Sequence, residues 1–110
     1  MDHSRIVKKR EQLIKVKLTE IFQKELALSA LAKITITRVE MDNSMEQAKI
    51  FYLPFHGEDL KFKTQIAGRL SQIRRKLMHS MSIRKTPQLK FIFDKGLDHA
   101  SKIDQILSQL

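Results

Sequence analysis

From Leu60 to Met81 the apolar residues Phe62, Ile66, Leu70, Ile73, Leu77 and Met81 step by 4, 4, 3, 4 and 4. That spacing is one continuous helical stripe, about six turns long. A helix that is apolar along one side only has to lie against a second layer. Short β-branched segments supply that layer. Ile34 to Met41 (ITITRVEM) and Gln47 to Leu53 (QAKIFYL) read as strands, separated by the turn residues Met41-Asp42-Asn43-Ser44. A connection so short predicts an antiparallel hairpin. Gln88 to Asp94 (QLKFIFD) is a third strand, with Leu89, Phe91 and Phe93 on one side.

The first strand does not alternate cleanly. Ile34 and Ile36 keep one phase and Val39 and Met41 the other, so the pattern leaves the buried face open and is compatible with a bulge or a twist. Ser4 to Leu28 reads as a long amphipathic helix carrying Ile14, Leu18, Ile21, Phe22 and Leu26, with Asp2 or Ser4 as its cap. Pro54 to Asp59 is a loop whose acids, Glu58 and Asp59, suit a helix start. Pro87 requires the second helix to end before Thr86. Leu97 to Leu110 closes the chain as a short helix with Ala100, Ile103, Ile106, Leu107 and Leu110 on one face. The expected order is α-β-β-α(α)-β-α, a single domain over residues 1–110. Its fold class is α+β: a small two-layer unit whose three-stranded sheet is covered on one face by helices that share a core.

Charge is distributed unevenly over this frame. Leu60 to Phe93 holds nine Lys or Arg and no Asp or Glu, while the rest of the chain holds 12 of each sign, so this one segment accounts for the net charge of +9. Ordinary wet helix faces mix signs. A surplus gathered in this way is the footprint of a polyanion-binding surface. The densest clusters are Arg74-Arg75-Lys76 and Arg84-Lys85, and Arg69 lies on the same helix. His79, one turn beyond Arg75, is read either as a solvated residue or as a partner for phosphate or base. The basic start of the first helix, Arg5, Lys8 and Lys9, extends the candidate surface.

Other chemistry finds little support. There are no cysteines, which excludes disulfides and thiolate metal sites. The glycines Gly57, Gly68 and Gly96 are too far apart for a phosphate loop, and the four histidines form no ligand pair. No catalytic constellation is apparent, so no enzymatic activity and no cofactor are expected. Phe51-Tyr52 sits on a strand that must turn one of the pair inward, which reads as sheet packing and not as a base-stacking platform. The first ten residues lack an apolar core of signal-peptide length, and no stretch reaches the length of a membrane span. A cytoplasmic protein with no membrane or small-molecule partner is expected.

Three stretches resemble the ribosome-binding factor A family. The first is Ile34-Thr35-Ile36-Thr37-Arg38-Val39-Glu40-Met41, with Ala48-Lys49-Ile50-Phe51-Tyr52 after the turn. The second is Ile73-Arg74 with Leu77 and Met81. The third and most specific runs from Ile83-Arg84-Lys85-Thr86-Pro87 through Gln88-Leu89-Lys90-Phe91-Ile92-Phe93-Asp94. The resemblance spans essentially the whole chain. It implies a KH-like fold of the second type (αββααβ). It also implies a non-catalytic factor that binds the small (30S) ribosomal subunit and contacts its 16S rRNA late in assembly.

That family carries an Ala-x-Gly kink where KH domains have a Gly-x-x-Gly loop. Here the kink positions are Arg69, Leu70 and Ser71, and Ala67-Gly68 lies just before them. A kink near Gly68 or Ser71 and an uninterrupted helix both remain open. Leu28-Ser29-Ala30-Leu31-Ala32 replaces an Asp-Pro-Arg segment, and Ser44 stands where the family has Asp. The expected RNA-binding set is Arg69, Arg74, Arg75, Lys76, His79, Arg84 and Lys85, joined by Arg5, Lys8 and Lys9, on a monomer. The alternatives are a general DNA-binding domain and a basic protein-interaction module.

Overall fold

The computed structural model describes residues 5–25, 33–55, 60–83 and 85–109. The expected caps Asp2 and Ser4, the end of the first helix at Leu28, the Leu28–Ala32 segment and the loop acids Glu58 and Asp59 lie outside them. Helix α1 spans Arg5–Glu20 and runs into one wide π turn, Ile21–Glu25. Strands β1 (Ile34–Met41) and β2 (Gln47–Pro54) follow, then helix α2 (Leu60–Met81), strand β3 (Gln88–Phe93) and helix α3 (Lys95–Ser108). The sheet order is β1-β2-β3; β1 pairs antiparallel to β2, and β3 pairs parallel to it. The parallel pair requires a crossover, and α2 is that crossover.

Helix α2 is continuous. Of the two readings left open at Gly68 and Ser71 the structure has the uninterrupted helix, so one helix from Leu60 to Met81 stands where the resemblance implies two. A Cβ added at Gly68 would meet nothing within 4 Å, so no close backbone approach calls for glycine there. The stripe works as its spacing predicts: Phe62, Ile66, Ile73 and Leu77 are all buried. Val7, Ile14, Leu18, Ile21 and Phe22 meet them from α1 and its π turn. Tyr52 centres an aromatic cluster, with ring centroids 4.7 Å from Phe62, 6.4 Å from Phe91 and 6.2 Å from Phe93.

The broken alternation of β1 is resolved by a bulge. The register shifts between Ile36, opposite Tyr52, and Arg38, opposite Phe51, which leaves Thr37 as the extra residue. Two consecutive residues then face away from the helices, so Ile34, Ile36, Val39 and Met41 are all buried on the same side. Outward-facing Arg38 lies over the Phe51 ring at 3.9 Å and pairs with Glu40 at 2.7 Å. Phe51 and Tyr52 therefore divide between the two faces, as a strand requires.

Thr37 also organises the far end of the sheet. Its hydroxyl donates to Asp94 Oδ2 at 2.6 Å. Asp94 Oδ1 accepts from the Leu97 amide at 3.0 Å and so caps α3, and the Asp94 amide donates to the Tyr52 carbonyl at 2.8 Å. The Thr37 hydrogen bond holds the Asp94 carboxyl below its usual range; burial opposes this, and the Leu97 amide and Arg38 reinforce it.

This anchorage corrects one expectation. Asp94 fixes where α3 starts, at the end of β3 beside Thr37. Among the described residues of α3, Ile103, Ile106 and Leu107 of the expected apolar face, and Leu97 before them, are exposed and do not join the common core.

Candidate nucleic-acid interface

Because Ile73 and Leu77 are pinned in the core, the rest of α2 has a fixed orientation. Ser71, Arg74, Arg75 and Met78 follow i, i+3, i+4, i+7 spacing and share one flank. That flank forms one wall of a cleft of about 570 Å³, and Glu46, Gln47, Lys85, Thr86 and Gln88 line the rest. The start of β2 and the approach to β3 are held together there by the Gln88 amide, which donates to the Glu46 carbonyl at 2.9 Å. Parallel pairing of Gln47 with Gln88 begins at the next step.

Arg74 ties the helix to the loop. Its Nε donates to the Pro87 carbonyl at 3.2 Å and its Nη2 to the Thr86 carbonyl at 3.1 Å. Both loop residues are buried, so these carbonyls need a partner before the strand ladder begins at Gln88. A planar guanidinium can reach two successive carbonyls; an ammonium group cannot match that geometry. Arg74 thus has a structural role as well as a charge that remains at the cleft.

The other expected residues divide among several places. Arg75 and Lys85 are exposed and line the same cleft as Arg74. Arg69 and Lys76, seven residues apart, share the opposite flank of α2 and do not line it. His79 is exposed one turn past Arg75. Arg5, Lys8 and Lys9 are exposed on α1 and line neither the cleft nor the recess beside it. Arg84 lies outside the described residues.

Arg10 is the basic residue that sequence reasoning passed over. It lines a recess of about 290 Å³ on the other side of Lys85 and Thr86, together with Ser44, Met45 and Glu46. A long-range hydrogen bond brings α1 there: Glu11 Oε2 accepts from the Met41 amide at 2.8 Å. Nothing in the local spacing of α1 signals that contact. Met45, which turns the hairpin into this region, has φ of 58°, and its amide donates to the Asp42 carbonyl at 3.1 Å.

Arg74, Arg75 and Lys85 therefore place three positive charges around one concavity, with Arg10 beyond its rim. The arrangement suits the capture of a phosphate chain. Among the described residues, no group of three His, Cys, Asp or Glu could hold a metal ion. No described helix is long and apolar enough to cross a membrane.

Comparison with known proteins gives a consistent result. The family profile described as Ribosome-binding factor A matches residues 6–107. A protein of that name from Nitrosospira multiformis is 29% identical over 110 residues, covering 98% of this chain and 86% of the relative. Another, from Pediococcus pentosaceus, is 32% identical over 102 residues, covering 90% and 88%. The crystal structure of ribosome-binding factor A from Thermus thermophilus superposes with a TM-score of 0.68 at 19% identity, covering 78% of this chain and 93% of that one. The homology model of the Thermus thermophilus factor, as fitted into a cryo-EM map of its 30S complex, gives a TM-score of 0.64 at 18% identity, covering 74% and 87%. At such identities the structural likeness carries the fold, α+β and KH-like.

Proposed function

The chain belongs to the ribosome-binding factor A family, and we propose that it docks on the small ribosomal subunit through the cleft between α2 and β3. The observation that carries this reading is the convergence of Arg74, Arg75 and Lys85, drawn from two separate elements, on one concave surface. The proposed target is 16S rRNA in a late precursor of the subunit. The mode of action is occupancy: the factor binds and shapes an RNA region without catalysis, a cofactor or a small-molecule substrate. It acts as a cytoplasmic monomer and as one domain. Arg10 and the exposed start of α1 extend the contact, with Arg69, Lys76, His79 and Arg84 at its margins.

The test is an Arg75→Glu, Lys85→Glu double variant. Neither side chain forms a hydrogen bond or ion pair with another described residue, so folding should be unaffected. Co-sedimentation with precursor small subunits should be lost. The salt dependence of residual binding should weaken by about 0.7 to 0.9 in slope for each lost phosphate contact. A folded double variant that pellets like the parent protein would remove the cleft from the interface. Competition between rRNA and duplex DNA at equal salt separates an RNA-directed factor from a general DNA binder.

A further inference from the structure

We propose that the cleft lined by Glu46, Arg75, Met78 and Lys85 is a subsite for one unpaired nucleotide, and that Glu46 selects guanine there. This rests on the RNA-docking reading above and adds the form of RNA and the base it takes.

Shape sets the form of the ligand. A concavity of about 570 Å³ is too small to seat a duplex within it, whereas an unpaired residue can be turned into it. It is of the size that accepts a small molecule or one extruded residue, roughly 300 to 1,000 Å³. The chemistry of the walls suits such a residue. Arg75 and Lys85 are exposed cations at the mouth, where a phosphate would sit. Met78 is half-buried and offers a polarisable surface to a base face. Arg74 is fixed by its two carbonyl bonds and adds a stationary positive charge.

Glu46 is the feature that phosphate binding alone does not explain. It is the single acid lining a cleft that contains three cations, yet its carboxylate makes no hydrogen bond or ion pair with a described residue. Its backbone is held on both sides: the carbonyl accepts from Gln88, and the amide donates to Ser44 Oγ at 3.4 Å. A carboxylate is an acceptor only. The Watson–Crick edge of guanine presents two adjacent N–H donors, which match its two oxygens. Adenine and uracil offer one donor each on that edge, and cytosine places an acceptor beside its amino group. The anion that weakens general phosphate attraction thus confers base selection.

The experiment measures fluorescence-anisotropy affinities for four labelled single-stranded RNA pentamers. Each is adenine except at the centre, which is G, A, C or U. The parent protein should bind the G pentamer about tenfold more tightly than the A pentamer. Glu46→Gln should abolish the preference, and Arg75→Ala should weaken all four equally. Equal affinity for the four pentamers, or a preference that survives Glu46→Gln, overturns the subsite. Co-sedimentation of the parent protein with precursor small subunits, run in parallel, separates the two levels. Pelleting without base preference defeats the subsite alone, and failure to pellet defeats the docking reading beneath it.

Discussion

Arg74 and Arg75 are neighbours in sequence with opposite consequences when lost. Arg74 supplies two charge-assisted hydrogen bonds to the Thr86 and Pro87 carbonyls. Such bonds contribute about 1.5 to 3 kcal/mol each when well buried. Both here are part-buried, which lowers the pair to about 2 to 3 kcal/mol. Arg74→Met should cost that amount of stability. With a urea slope of about 1.5 kcal/mol per molar, the unfolding midpoint should fall by about 1.3 to 2 M. Arg74→Lys should recover less than half of the loss, because an ammonium cannot bond both carbonyls in the same geometry. Arg75→Met, one position along, should leave the midpoint within a few tenths of a molar and reduce subunit binding instead. Urea denaturation followed by circular dichroism on the three variants decides the matter. Equal midpoints for Arg74→Met and Arg75→Met would refute the clamp.

Asp94→Ala removes the cap of α3 and the acceptor of the Thr37 hydroxyl, and should cost about 2 kcal/mol at neutral pH. The Asp94 carboxyl is depressed when folded, so its contribution is present above its unfolded pKa of about 3.9 and is lost as pH falls through the lower folded value. The stability gap between parent and variant should therefore narrow between pH 5 and pH 2, and urea titrations that keep the gap constant would contradict this. Gly68→Ala introduces a Cβ into open space within a continuous helix and should stabilise by about 1 kcal/mol, read as a rise in thermal midpoint. Ser82 ends α2 with φ of 53°, so Ser82→Gly should also gain about 1 kcal/mol. The two changes are far apart, and their effects should add.

Much of the fold was legible because its signals are local. The stripe of α2 and the β-branched run of β1 placed those elements at Leu60–Met81 and Ile34–Met41, where the structure has them. The phase break in β1 was compatible with a bulge or a twist, and only pairing with β2 shows a bulge with Thr37 as the extra residue. What stayed hidden depends on contacts across the molecule. The apolar stripe of α3 reads like that of a core helix, and only the structure shows that Ile103, Ile106 and Leu107 stay exposed. The site shows the same division. Concentrated charge pointed to α2 and the loop after it, but helix spacing had to be set against the sheet before Arg74, Arg75 and Lys85 separated from Arg69 and Lys76. Arg10 gave no local sign of its position, because the Glu11–Met41 bond that places it joins residues far apart in sequence.

The extra residue in β1 acts as a latch on strand alignment. Sliding the strand by one position would drive Arg38 inward or push Val39 into water, and either cost is large enough to make the hairpin single-valued. The same residue, through its hydroxyl, also holds the carboxylate that caps the last helix. An irregularity early in the chain is thus tied to the cap of its final helix, and a change at position 37 would reach the start of that helix as well as the hairpin that contains it.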